Sequence, residues 1–356
     1  MRPVRLLALA AAVLALAGAA WWLLDRDGAG QGDGPGLLAL GFAARVDTID
    51  RIEVTGAGKA ALVTLEKVQG QWRMPDRDQW PGNQREISRA LFRLGQARRI
   101  EAKTARPSLH VRLGVEDLAA ADAKGVGLRL SGGGSEPLAL VVGNNHPSLG
   151  GSYVRVGDDP QAWLLDQDIA PARNPADWLD RRLIDLPMAR VQTVRVTPAQ
   201  GRSFVLSRRD DDFVLEGLAS AALANPDAGN AIAGFTDQLP LDDVARDSGT
   251  APTQTAVFES VDGLAVTVST WPGEGSQTWA RLSVSLDRER ASAWFARGAA
   301  DDTARQEAGD PATRLAALEA QVAAWQASFE GRQFLLPPYK AQALAKSRGD
   351  YLAGQP

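Results

Sequence analysis

The chain has 356 residues, 45% hydrophobic and 23% charged, a composition that argues against disorder and leaves room for two or three domains. Its net charge of -4 leaves no excess of positive charge for a phosphate backbone, so no nucleic-acid partner is expected. The absence of cysteine excludes disulfides, thiolate nucleophiles, iron–sulfur clusters and cysteine zinc sites.

The first element is "MRPVR" followed by an uncharged run from Leu6 to Leu24. At about 1.5 Å per residue that run reaches roughly 28 Å, the hydrocarbon thickness of a bilayer. Arg2 and Arg5 place its start on the cytoplasmic side, and Trp21 and Trp22 sit where interfacial rings are favoured. A cleaved signal peptide competes through the small residues Ala17, Gly18 and Ala19, but the apolar run continues past them. The expectation is therefore a retained anchor over 1–24, in a single-pass protein of the bacterial inner membrane with its body in the periplasm. The Gly-rich "DGAGQGDGPG" then predicts a flexible tether over 25–37.

Two similar blocks follow, expected over 38–172 and 191–288. Ile52 and Val54 answer to Val194 and Val196, Leu65 to Leu206, Trp72 to Phe213 and Met74 to Leu215. Both blocks alternate apolar and polar residues in short runs, the pattern of antiparallel strands with one buried face. Each copy continues into a predicted helix. "NQREISRALFRLGQARRI" has Asn83 as cap, Glu86 three residues on, and Ile87, Leu91 and Leu94 on one stripe. "NPDAGNAIAGFTDQLPLDDV" has Ile232, Phe235 and Leu239, weakened by Gly229 and Gly234.

Hairpin patterns come next, "VGLRLSGGGSEPLALVVG" and "AVFESVDGLAVTVST". The Gly-rich "SGGGSE" predicts a hairpin turn, since no helix follows it to aim amides at a phosphate. "SYVRV" and "TWARLSV" share the order aromatic, apolar, Arg, which puts Tyr153 with Arg155, and Trp279 with Arg281, on one face of their strands. Such a face either stacks arginine on a ring or offers a ligand platform.

Between the copies, 173–190 is expected to form a connector helix. In "NPADWLDRRLIDLP", Asn174 is placed to cap, Pro175 to open the helix, and Asp177 to pair with Arg181 four residues on. Trp178, beside the stripe of Leu179 and Leu183, is expected to be buried and to lock the connector against both halves; the competing reading makes it a stacking platform with Arg181 or Arg182 holding an anion. The last segment, 289–356, is expected to hold a loop over 297–310, a helix over 311–329 and a short helix in "LPPYKAQALAKSRGDYL".

The motifs "IDRIEVTGAG", "GQWRMPD", "EAKTARPSLHVRLGVED", "SYVRVGDDPQAWLLD", "NPADWLDRRLIDLP", "TWARLSV" and "FLLPPYKAQAL" resemble, in this order, the bacterial family called domain of unknown function 4340. The resemblance runs from about Ile49 to about Tyr351, with Ala291–Pro311 outside the pattern. It implies an envelope protein accessory to ABC-type transport systems of the gliding-motility kind, and it assigns no catalytic residue.

No nucleophile elbow, Walker A loop, dinucleotide fingerprint or zinc-protease motif is present. His110 and His146 have no metal-ligand spacing, and paired acids such as Asp158–Asp159, Asp242–Asp243 and Asp301–Asp302 point apart on turns. No catalytic residue, metal or cofactor is expected. The fold expected is α+β: an N-terminal transmembrane helix, two tandem similar units of antiparallel strands with one helix each, and C-terminal helices. The function expected is a non-catalytic, membrane-anchored interaction or scaffolding protein, with membrane-protein partners such as an ABC-type transporter. The alternatives are a glycan- or small-ligand-binding module using Tyr153, Arg155, Trp178, Arg181, Trp279 and Arg281, and a hydrolase using dispersed carboxylates.

Overall fold

A computed structural model describes residues 36–39, 41–217, 228–301 and 310–351. The anchor expected over 1–24 and most of the tether lie outside these residues. Among the described residues no helix is long and apolar enough to cross a membrane. The fold is α+β, with antiparallel pairing throughout its sheets.

The first sheet is built from β1 (Gly36–Leu37), β2 (Ile49–Thr55), β3 (Ala61–Val68), β4 (Gln71–Met74), β5 (Trp80–Pro81), β6 (Arg98–Thr104), β7 (Val126–Gly132), β8 (Ser135–Asn145), β9 (Ser152–Val156) and β10 (Ala162–Leu165). Its helices are α1 (Phe42–Arg45), α2 (Gln84–Gln96) and α3 (Pro107–Leu113). The strands lie in the order β1-β6-β10-β9-β8-β7-β2-β3-β4-β5. The β7–β8 turn uses Gly133 and Gly134 at φ 61° and 67°, the left-handed pair that a two-residue hairpin requires.

A connector strand β11 (Arg182–Ile184) then leads to β12 (Val191–Pro198), β13 (Phe204–Arg209), β14 (Asp212–Leu215), β15 (Leu239–Pro240), β16 (Asp243–Arg246), β17 (Gln254–Ser260), β18 (Leu264–Pro272), β19 (Thr278–Leu286) and β20 (Arg332–Leu336). The helices here are α4 (Ala228–Ala233), α5 (Arg288–Asp301), α6 (Pro311–Phe329) and α7 (Pro338–Leu344). The second sheet has the order β14-β13-β12-β17-β18-β19-β20-β16. It repeats the first strand for strand, with β2, β3, β4, β6, β7, β8, β9 and β10 answering to β12, β13, β14, β16, β17, β18, β19 and β20.

The register agrees residue by residue. Ile52 lies opposite Leu65 and Leu130, and Val194 opposite Leu206 and Phe258. Even a cation–ring pair at the end of the core-facing side recurs: Lys67 stands opposite Trp72 with its ammonium 5.7 Å from the ring centre, and Arg208 opposite Phe213 at 4.7 Å. The second sheet is completed by β20, beyond the boundary expected at 288. The hairpin of α5 and α6 is inserted between β19 and β20, where the first sheet has only the short turn between β9 and β10.

Three expected elements differ. Over 174–187 the connector makes one 3-10 turn, Pro175–Asp177, capped by Asn174 on the Ala176 amide at 3.1 Å, and then runs extended through β11. No helix brings Asp177 to Arg181. The second-copy helix is confined to α4, after which Phe235 and Leu239 enter the core from a turn and a strand. The loop expected from Arg297 is helical as far as Asp301, the end of α5. The helices α2, α6 and α7 match the expectation, and Asn83 caps α2 by accepting from the Glu86 amide at 3.3 Å.

Candidate functional site

The two sheets meet at the turn between β4 and β5. Asp78 and Gln79 adopt left-handed backbone, φ 52° and 59°, unusual for residues other than glycine. This turn aims Asp78 at two arginines of the second sheet, Arg246 and Arg332, each with Nε donating at 2.8 Å. Arg77 pairs with Asp243 and Arg181 with Asp242, so these adjacent acids do point apart, toward different partners. The Trp80 ring stands edge-on to Phe334, and its Nε1 donates to the Asp180 carbonyl at 2.8 Å. Gly82 bridges to Leu179, and the Asn83 amide donates to the Trp178 carbonyl at 2.7 Å.

The six residues expected as ligand contacts occupy three places. Arg155 Nε donates to the Val115 carbonyl at 3.1 Å, and Tyr153 is tilted against His146. Arg281 holds the same register position in the second sheet and grips Asp247 through Nε at 2.8 Å and Nη2 at 2.6 Å. Its guanidinium stacks on Trp271, 5.0 Å from the ring centre, while Trp279 lies across from that ring. Hydrogen bonding by Arg281 lowers the Asp247 pKa against the opposing effect of burial. Arg181 donates to the Leu241 carbonyl at 2.9 Å. Trp178 is 5% exposed and donates through Nε1 to the Ala172 carbonyl at 2.9 Å.

Of these six, Trp178 alone lines the apolar cavity beside α2. That cavity, about 360 Å³, lies between α2 and the faces of β2 and β7, roofed by residues 168–178. Ile52, Leu128 and Leu130 form its floor, Ala90, Leu91 and Leu94 its helical wall, and Ile169, Pro171 and Trp178 its roof. Glu86, Arg93, Asp168 and Asp177 bring charge to it.

Asp168 is a built element of the roof. Its Oδ1 accepts from the Ser152 hydroxyl and the Ala170 amide, both at 2.9 Å, and Ser152 is fully buried. Burial opposes its charge, but the Ala170 amide, Asn145, Ser152 and the field of Arg93 outweigh it and hold the carboxyl below its usual pKa. A glycosidase-type general acid needs the reverse shift, so Asp168 is tuned as a permanent carboxylate. His110 Nε2 contacts the Pro160 carbonyl at 2.9 Å, and His146 Nδ1 accepts from the Ser148 and Leu149 amides at 3.2 and 3.1 Å. Among the described residues no group of three or more acidic or histidine side chains is placed to hold a metal ion.

The cavity was missed in the sequence, where its signal is a size difference between the copies: Leu130 stands in register where the second sheet has Phe258. Neither a curated protein nor a solved structure matches the chain. Residues 72–233 match the family described as Domain of unknown function (DUF4340), a stretch from β4 of the first sheet to α4 of the second that includes the junction and the cavity roof. Residues 72–233, the part of the chain so matched, carry the DUF4340 domain.

Proposed function

We propose that the chain is a non-catalytic interaction protein of the bacterial envelope, held in the inner membrane by residues 1–24 and accessory to an ABC-type transport complex. The observation that carries this reading is an uninterrupted apolar run, Leu6–Leu24, ahead of a body whose charged and aromatic side chains join its own two sheets. A body tied together in this way suits a strut or adaptor that must hold its shape while a partner moves. Photo-crosslinking in membranes from position 92 tests it, because Phe92 on α2 is 65% exposed. An adduct with an integral membrane transport protein is expected. Release of the chain without detergent sinks the anchor, and failure to crosslink any integral membrane protein sinks the interaction.

A second reading is favoured by the cavity beside α2: the first sheet binds a small ligand, and the second does not. Its apolar lining, few polar groups and size are those of a ligand pocket. The glycan reading is less well supported, since Tyr153, Arg155, Trp279 and Arg281 stand on separate sheets with partners of their own.

A further inference from the structure

We infer that the cavity beside α2 receives a small amphipathic amine, its aromatic or branched apolar body seated on Leu130 and its protonated nitrogen at Asp177; this rests on the ligand-binding reading of the same cavity. The two sheets supply the first argument, because each serves as the other's control. In the second sheet the position of Leu130 is taken by Phe258, and Phe235 stacks on it with ring centres 5.6 Å apart and planes at 17°. The first sheet has no ring there. Leu130, Ile52 and Leu128, at most 7% exposed, lie at the bottom of a half-open pocket under the wall of α2 instead. A half-open apolar pocket in one copy, where the other packs two rings, marks a place kept open for an occupant.

Size and chemistry define that occupant. The cavity, about 360 Å³, holds about a dozen non-hydrogen atoms at roughly 30 Å³ each, and an apolar cavity of about 150 Å³ is enough for benzene. An aromatic ring with a short chain fits. The floor and helical wall give it no hydrogen-bonding side chain, so any polar group must lie at the rim, where Glu86, Asp168 and Asp177 outnumber Arg93. Glu86 is engaged by Arg89 at 2.7 Å, and Asp168 by Ser152 and Ala170. Asp177 is exposed, and its carboxylate has no hydrogen bond or ion pair among the described residues. It is the acceptor left for a cation, and an anionic head meets repulsion.

The test is calorimetric titration of the full-length chain in phosphatidylcholine nanodiscs with three probes of one body, 4-phenylbutylamine, 4-phenylbutanol and 4-phenylbutyrate. The amine is expected to bind about tenfold more tightly than the alcohol, and the acid most weakly. Asp177→Asn is expected to remove the amine's advantage and leave the alcohol unchanged. Leu130→Phe, which copies the second sheet, is expected to abolish binding of all three with no fall in melting temperature. Ala90→Leu narrows the same space from α2 and serves should the first variant misfold. Equal binding of the three probes, or a preference for the acid, overturns the amine assignment and leaves the ligand-binding reading standing. No binding by any probe, or binding undiminished in both filled variants, overturns both.

Discussion

Trp80 and Phe334 meet edge to face across the two sheets, ring centres 5.3 Å apart and planes at 68°. Both are buried, and the Arg332 guanidinium lies over the Trp80 ring at 5.9 Å, so one aromatic pair closes the apolar seam that the flanking ion pairs border. Trp80→Ala is expected to cost about 3–5 kcal/mol, the range for emptying a buried aromatic site. Because the lost contact couples the sheets, urea unfolding followed by tryptophan fluorescence and by circular dichroism should split from one transition into two. Coincident single transitions in the variant would show that the junction does not depend on this ring.

Asp78 receives two arginines of unequal value. Arg332 is 21% exposed and Asp78 18%, whereas Arg246 is 87% exposed and screened by water. Arg332→Ala is therefore expected to cost about 1–3 kcal/mol, as for a charged hydrogen bond with a part-buried partner. Arg246→Ala should cost under about 0.5 kcal/mol. Equal losses in urea melts at low and high salt would contradict the ranking.

The strands were legible because their alternation survives in the fold: Ile52 and Val54, like Val194 and Val196, point into the core from equivalent strands. The repeat was legible to the level of single side chains, since Arg155 and Arg281 do share one register position. The connector was not. An Asp177–Arg181 helical pair is worth only about 0.2–0.5 kcal/mol, less than is gained by burying Trp178 and Leu179 and bridging the chain to Gly82. The end of α5 was obscured because "RGAAD" has no apolar stripe to mark a helix, and the cavity because it is missing volume. Missing volume shows only when Leu130 is set in register against Phe258.

The two readings of Trp178 differ in what its removal does. As an exposed platform its removal would weaken binding and leave stability alone. Buried under the connector, with Nε1 on Ala172, Trp178→Ala should cost about 3–5 kcal/mol and enlarge the cavity. Trp178→Phe keeps most of the packing and should cost about 1 kcal/mol for the hydrogen bond. An unchanged melting temperature in Trp178→Ala would return the residue to the surface role.

Tyr351 gives the fold a pH dependence on the alkaline side. Its side chain packs on Phe204 with ring centres 5.5 Å apart, it is 1% exposed, and its hydroxyl finds no partner among the described residues. Burial, helped by the charge of Asp350, pushes its pKa from 10.0 up to about 12. In the unfolded chain the phenol ionises near 10, while in the fold it stays protonated, so above pH 10 the unfolded state binds fewer protons and stability falls. The contribution is complete below pH 10 and lost as pH rises toward 12, about 2–3 kcal/mol for a shift of this size. Tyr351→Phe removes both the ionisation and the unpaired hydroxyl. It should match or exceed the parent's stability near pH 7 by up to about 1 kcal/mol and lose less between pH 10 and 12, measured by urea denaturation across that range. Lys340 is a control within the same experiment: burial lowers its pKa despite Asp237 and Asp185, so its titration works in the opposite direction and is common to both proteins. Parallel alkaline limbs in parent and variant would show that the phenol is not what the fold holds protonated.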